Sequence, residues 1–316
     1  KNGTPNVKRA ILEIAKDKPD IIINQDIIEA AKQSEEIRPE AIAVAGDRKL
    51  TIISDDLQQN ITQNDLMVRS ASACSLMKMN DHVEEAEAVI QKLLSSSDVN
   101  EIKIALQFLD KPMGILDDKK LVDFLQHESP DIREESLKIA ETRKNPDLLD
   151  YIIENLEYPK TAIQARQALS GFDEELVLNS LEKWLYEVNS NFPLRNGIIR
   201  CLKHFGVSKS AEILHKGLSE PYLNTLSEVT NSLLSVARKE PPSDEFIKKI
   251  GIDLNIISRR VYQLELFLHS LPDDENCFLI RDHIDSDINK IIPIMLKLGV
   301  LHDPKTPIET YIQYVS

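Results

Sequence analysis

Glycine is scarce, at 9 of 316 residues, and no run of alternating Val, Thr and Tyr is bounded by Asn-Gly or Asp-Gly. Hairpin-built β architecture is therefore not encoded. The three cysteines, Cys74, Cys201 and Cys277, lie far apart with no CxxC spacing, which excludes a disulfide framework and leaves them as expected buried thiols. No apolar run approaches the ~18 residues that a membrane helix needs. No charged-then-apolar signal segment opens the chain, so a cytoplasmic setting is the expectation. The chain starts at Lys1 without Met, and its first recognisable unit begins on what should be a second helix. It is therefore expected to be a segment of a larger protein, whose membrane content this segment leaves open.

Signatures of chemistry are missing too. Neither GxxxxGK[ST] nor GxGxxG occurs, so no phosphate-cradling loop is encoded, and no cofactor is expected. There is no GxSxG nucleophile elbow, and Ser170-Gly171 and Lys209-Ser210 lack partners at meaningful spacing. Seven histidines, His82, His127, His204, His215, His269, His283 and His302, are scattered without HExxH, HxxxH or Cys/His zinc spacing. The densest polar cluster, Arg281 to Asp287, puts His283 and Asp287 on one helix face at i, i+4. A solvated face explains that pair better than a metal site. The carboxylate pairs Asp55-Asp56, Asp117-Asp118 and Asp273-Asp274 sit at expected helix starts, where acids favour the helix dipole. No catalytic, cofactor-binding or metal-ligating residue is assigned, and binding residues stay unassigned.

What the chain does have is aliphatic side chains, acid and a period. Apolar residues make up 42 % and aromatics 5 %, with Leu, Ile and Ala prominent, a composition suited to helix-on-helix packing. The net charge is −14, and residues 81–160 carry 19 acids against 10 bases, or −9 of that total. Such a field repels phosphate backbones, so nucleic acid is excluded as a partner.

A branched apolar residue, usually followed by Arg, Lys or Asn, returns at Val7, Ile37, Val68, Val99, Ile132, Ile163 and Leu194, with spacings of 30, 31, 31, 33, 31 and 31 residues. Units of this length cannot bury an apolar face alone and must stack into a solenoid. The clearest unit runs from Asp117 to Arg143. Leu121, Phe124 and Leu125 form one stripe, Pro130 ends that helix, and Asp131 is placed to cap a second helix packed through Ile132, Ser136, Ile139 and Ala140. The next unit repeats this with Leu148, Leu149, Ile152, Ile153 and Leu156, a break at Tyr158-Pro159, then Ala162, Ala165, Ala168 and Leu169. A third runs through Val177, Leu181, Trp184, Leu185 and Val188, turns at Asn191 to Pro193, and continues with Leu194, Ile198 and Leu202. Trp184 and Tyr186, near Phe192, are expected to pack at a repeat junction.

An acid shortly before a branched residue, then Arg, then a small residue three or four positions on, resembles the HEAT-repeat family. The matches are Glu36-Ile37-Arg38 with Ala41, Asp65 and Val68-Arg69 with Ala71 and Ala73, and Asp131-Ile132-Arg133 with Ser136. Later copies degrade, since Gln164 follows Ile163 and Leu194-Arg195 lacks the acid. The resemblance implies an all-α, right-handed α-α superhelix of about seven to eight helix pairs, HEAT- or armadillo-like. In that family the acid and Arg are structural, tying neighbouring turns together.

The array is expected over residues 1–240. After Arg238 to Ser243 the register changes, and residues 241–316 read as a C-terminal helical segment packing on or capping the array. Its two helices are expected at about 244–271, striped by Leu254, Ile257, Val261, Leu264 and Leu268, and at about 275–299, bent or broken by Pro293. The apolar progression from Ile280 through Ile284, Asp287-Ile288, Ile294, Met295 and Leu298 to Leu301-His302-Asp303-Pro304 and Ile308 resembles a segment that follows HEAT repeats in certain bacterial fusion proteins. Those proteins join a membrane domain similar to ATP/ADP translocases to a cytoplasmic HEAT array.

Two helical-repeat enzyme families are weighed and set aside. HEAT-like DNA glycosylases use a basic, aromatic concave face, which this acidic chain with Trp184 as its one Trp lacks. Phycobilin-lyase-type HEAT proteins exist, but nothing in the sequence marks a chromophore site. The expectation is a non-enzymatic scaffold whose concave face, lined by second helices, binds a protein or an adjoining domain of the same polypeptide. The alternative is a cytoplasmic regulatory region of a membrane transporter similar to ATP/ADP translocases, tethered by a membrane domain outside this segment.

Overall fold

The period in the sequence is the length of one helix pair. The computed structural model describes residues 4–18, 22–34, 36–109, 114–186, 191–219, 222–272 and 277–303, and every regular element among them is helical. Contacts divide the chain into two bodies, Lys1–Ile152 and Ile153–Ser316.

The first body contains α1 (Pro5–Asp17), α2 (Asn24–Gln33), α3 (Arg38–Asp47), α4 (Ser54–Asn60), α5 (Leu66–Met79), α6 (Val83–Leu94), α7 (Val99–Phe108), α8 (Asp118–Leu125) and α9 (Pro130–Arg143). The odd-numbered helices pack in series, α1 on α3, α3 on α5, α5 on α7 and α7 on α9. Each even-numbered helix packs on the odd one that follows it. After α10 (Leu149–Glu154), the second body continues with α11 (Ala162–Ser170), α12 (Glu174–Tyr186), α13 (Phe192–Leu202), α14 (Val207–Lys216), α15 (Leu223–Ala237), α16 (Asp244–Ser270) and α17 (Phe278–His302). There α12, α14 and α16 pack on α13, α15 and α17, and α17 packs on α15 as α15 packs on α13. Each body is an all-α stack of helix pairs, the helical-repeat architecture that the period predicts.

Each recurring branched residue lies at the start of an odd-numbered helix, but burial is not uniform: Val7, the third residue of α1, is exposed, and Ile37, just before α3, is buried. Val68, Ile132 and Leu194 are each the third residue of their helix and are buried. Val99 and Ile163 fall one or two positions earlier and are exposed, because about 100° of rotation per residue turns them off the packed face. The expected stripes are buried at Leu121, Phe124, Leu125, Ile139, Ala140, Leu148, Ile152, Ile153, Ala165, Ala168, Val177, Leu181 and Ile198.

Small residues set the closeness of the stack. α5 buries Ser70 through Leu76 without a break, and a Cβ on Gly46 of α3 would lie 2.7 Å from Ser75 Cβ. The Ser75 hydroxyl donates to the Ile42 carbonyl at 2.9 Å, one period earlier. In the second body a Cβ on Gly197 would lie 2.2 Å from the Leu156 carbonyl oxygen.

Polar side chains add ties across neighbouring turns. Arg9 meets Glu40 at 2.7 Å, Lys78 meets Asp47 at 2.8 Å, Lys103 meets Asp131 at 3.2 Å, and Arg200 grips Glu228 through two bonds of 3.0 and 2.6 Å. Arg69 reaches Glu101 at 3.8 Å. Arg38 donates both to the Ala31 carbonyl of its own pair and to Asn60 of the next, and Arg133 donates to the His127 carbonyl of its own pair. Asp131 does not cap α9. Ser129 occupies that position, Pro130 fills the first helical site, and the Asp131 carboxylate is drawn to Lys103. Capping does hold at Asp65, Asp98 and Asp117, whose carboxylates accept from backbone N–H groups of the first turn.

Three second helices end on a left-handed residue other than Gly, at Lys49, Asn80 and Lys144. α17 is not broken at Pro293. The helix runs through it, and both Pro293 and Asn289, whose carbonyl loses its partner, face solvent. Val188, Asp273-Asp274, Pro304 and Ile308, named in the sequence reading, lie outside the described residues.

Candidate interaction site

The groups with chemical potential are dispersed and engaged in the fold. His283 lies 3.8 Å from Asp287 on an open helix face, and no group of three or more metal-ligating side chains occurs among the described residues. His215 Nε2 sits 2.7 Å from Asp253 and packs edge-on against Phe246, fastening α14 to α16. His127 Nδ1 accepts from Ser129 N–H, and His302 faces the Ile247 carbonyl at 3.1 Å. Ser170 donates to the Gln167 carbonyl, and Lys209 reaches Asn179 and Glu175. Cys74 and Cys201 are buried, and burial pushes the Cys201 thiol up to about 12; Cys277 is only half-buried. Tyr186 donates to the Ile213 carbonyl at 2.7 Å, a junction role like the one expected for it.

A polar cavity of about 550 Å³ opens beside α2, α3 and the start of α5. Two of its bases are in ion pairs, Arg9 with Glu40 and Lys32 with Asp56 at 2.7 Å, while Arg38 donates to the neutral Asn60 amide at 2.9 Å. An apolar groove of about 420 Å³ between α1 and α2 is lined by Ile11, Leu12, Ile22, Ile27 and Ile37. Beside it α1 exposes the stripe Val7, Ile11 and Ile14.

The largest departure from an ordinary solvated surface is on the last helix pair. α16 buries Ile250, Ile257 and Val261 on one side. On the other, Ile252, Ile256, Tyr262, Leu266 and Phe267 are 52 to 63 % exposed, and Phe278, Leu279 and Ile280 at the start of α17 are 47 to 76 % exposed. At 3.6 residues per turn the five outward α16 residues occupy about 140° of the helix surface. Lys248 and Arg259 lie within that strip, Lys249 and Arg260 at one edge of it, and all four are exposed. The inward stripe of Leu254, Ile257, Val261, Leu264 and Leu268 is legible in the sequence. The second stripe was carried by the same segment, which has apolar residues on both faces, a pattern that an ordinary half-buried helix does not need.

No family model matches the chain, and no curated protein matches it. The resemblance of the tail to translocase-linked proteins thus finds no support there. Among solved structures, the complex of CpcE and CpcF of phycocyanin lyase from Nostoc sp. PCC7120 is similar at a TM-score of 0.33 and 19 % identity, over 73 % of this chain and 94 % of that one. This finding corrects the expectation that the chain is not an enzyme. The exclusion of catalysis is withdrawn. A likeness of this size assigns no activity to this chain. No described helix is long and apolar enough to cross a membrane.

Proposed function

We propose that the chain is a protein-interaction module that holds a protein partner or an adjoining domain. The observation that carries this reading is the concentration of eight large exposed apolar side chains on α16 and the start of α17. Apolar surface gathered in this way marks sites of association, whereas isolated exposed residues need no explanation. Residues 244–303 serve on this reading as a longer final pair that closes the array below residue 240 and carries the contact surface outward.

The second helices retain a smaller part. α3 and α5 are mostly buried, so their contribution to a binding face is limited to positions such as Met67, Met77 and Lys78. α7 offers more, at Asn100 and Gln107. The test is a photo-crosslinking amino acid placed singly at Ile256, at Gln107 and at the exposed control Lys160 in cells that make the chain. A discrete adduct of one defined mass from Ile256 or Gln107, absent from Lys160, is expected. No discrete adduct from either position would end the interaction reading.

A further inference from the structure

We propose that the outward face of α16 docks an acidic amphipathic helix of a protein partner. This rests on the interaction reading and names the chemistry of its contact. Lys249, Ile252, Ile256, Arg259, Gln263 and Leu266 follow one another at alternating steps of three and four residues, the spacing by which one helix presents a seam to another. All six are outward-facing, and Ile252, Ile256 and Leu266 supply its apolar positions at 62, 61 and 52 % exposure. Lys248, Tyr262, Arg260 and Phe267 flank the seam, in places where paired helices select partners by charge.

Charge decides among the occupants. The strip carries Lys248, Lys249, Arg259 and Arg260, with the exposed acids Asp244 and Glu245 beside them, the latter 3.0 Å from Lys249; Asp253 is turned to His215. Four bases on one strip of a chain with net charge −14 are not needed for solubility. A second copy laid parallel on this face would set bases against bases, and an antiparallel copy centred on Arg259 would set Arg259 opposite Arg259. A partner helix with acids beside its apolar stripe meets neither penalty, pairing with Lys248 and Arg260 on the flanks and with Lys249 and Arg259 within the seam. An anionic lipid surface would attract the strip but repel the acidic remainder of the chain.

The probe is a synthetic helical peptide of about four heptads with Leu at the seam and Glu on both flanks, compared with the same peptide carrying Lys. Each is titrated into the whole chain by fluorescence anisotropy, with circular dichroism confirming that every variant is folded. The Glu peptide is expected to bind at least about tenfold more tightly than the Lys peptide. Ile252→Glu with Ile256→Glu should abolish the difference, and Lys248→Glu, Lys249→Glu, Arg259→Glu and Arg260→Glu together should reverse it. Equal binding of the two peptides, or binding that survives the two Ile substitutions, overturns the proposal. So does a dimer in analytical ultracentrifugation that those substitutions dissolve, or retention on phosphatidylserine vesicles without binding of the Glu peptide. Adducts from Gln107 combined with a silent peptide titration would refute this docking face and leave the interaction reading standing.

Discussion

Gly46 on α3 and Ser75 on α5 approach so closely that a methyl group on Gly46 would fall 2.6 Å from the Ser75 hydroxyl oxygen and 2.8 Å from the Ser75 Cα. The Cα belongs to the backbone of a helix buried on nearly every side, so it cannot move aside as the end of a long side chain could. Gly46→Ala is expected to destabilise the first body by about 1–3 kcal/mol through overpacking. Gly206→Ala is the control, because its methyl would meet Glu174 Oε1, the movable end of a side chain. Urea denaturation followed by circular dichroism separates the two. Equal midpoints would refute the close-packing argument.

The two faces of α16 should respond oppositely to truncation. Ile250 is fully buried, so Ile250→Ala should cost about 2–5 kcal/mol, while Ile252→Ala, on a side chain 62 % exposed, should stay within about 0.5 kcal/mol. A thermal melt of both variants checks this. A large loss from Ile252→Ala would mean that its face is already covered in the isolated chain.

Lys49, Asn80 and Lys144 close second helices in the left-handed region, where glycine is at ease and a side chain is not. Lys144→Gly is expected to raise stability by about 0.5–1 kcal/mol, and Asn80→Gly by less, since Asn tolerates this conformation better than Lys. Chemical denaturation of the two single variants supplies the comparison.

The Arg200 guanidinium bonded to Glu228 holds that carboxyl below the usual carboxylate range. The folded value lies below the unfolded one, so the pair's contribution is complete above the ordinary value of about 4.3 and is lost as pH falls through the lower folded value. The tie is partly exposed, so Glu228→Gln should cost about 1 kcal/mol or less at pH 7. The difference from wild type should vanish in acid. A gap that widens on acidification would contradict the sign.

Thiol chemistry supplies an independent check on burial. Cys201, with its thiol pushed up to about 12 by burial, and buried Cys74 should resist a disulfide reagent at neutral pH, and half-buried Cys277 should react first. One fast equivalent in the folded chain and three after denaturation are expected. Three fast equivalents from the start would mean that the buried pair is open to solvent.

Helix boundaries and repeat length were legible because they rest on local signals. Proline and capping residues end one helix and start the next, and Leu121, Phe124 and Leu125 lie on one face whatever surrounds them. Burial of Val99 and Ile163 was not legible, because one residue of drift at a helix start turns a side chain by about 100° without altering composition or spacing. Asp131 looked like a cap in the sequence, but its role depends on Lys103, 28 positions away. The outward strip of α16 was hidden for a related reason. Ile252, Ile256, Leu266 and Phe267 are core-type residues, and only a structure tells which of two apolar faces a neighbour covers.

The ties between turns also govern how the chain reaches its fold. Arg9 to Glu40, Ser75 to Ile42, Lys103 to Asp131 and Arg200 to Glu228 each join residues 28 to 33 positions apart. Closing loops of that size costs little beyond what a single helix pair requires, so each body has low contact order and can nucleate at any pair. Folding should then spread outward by accretion, pair by pair. Local damage, such as a methyl group on Gly46, should fray its neighbours before it melts the rest of its body.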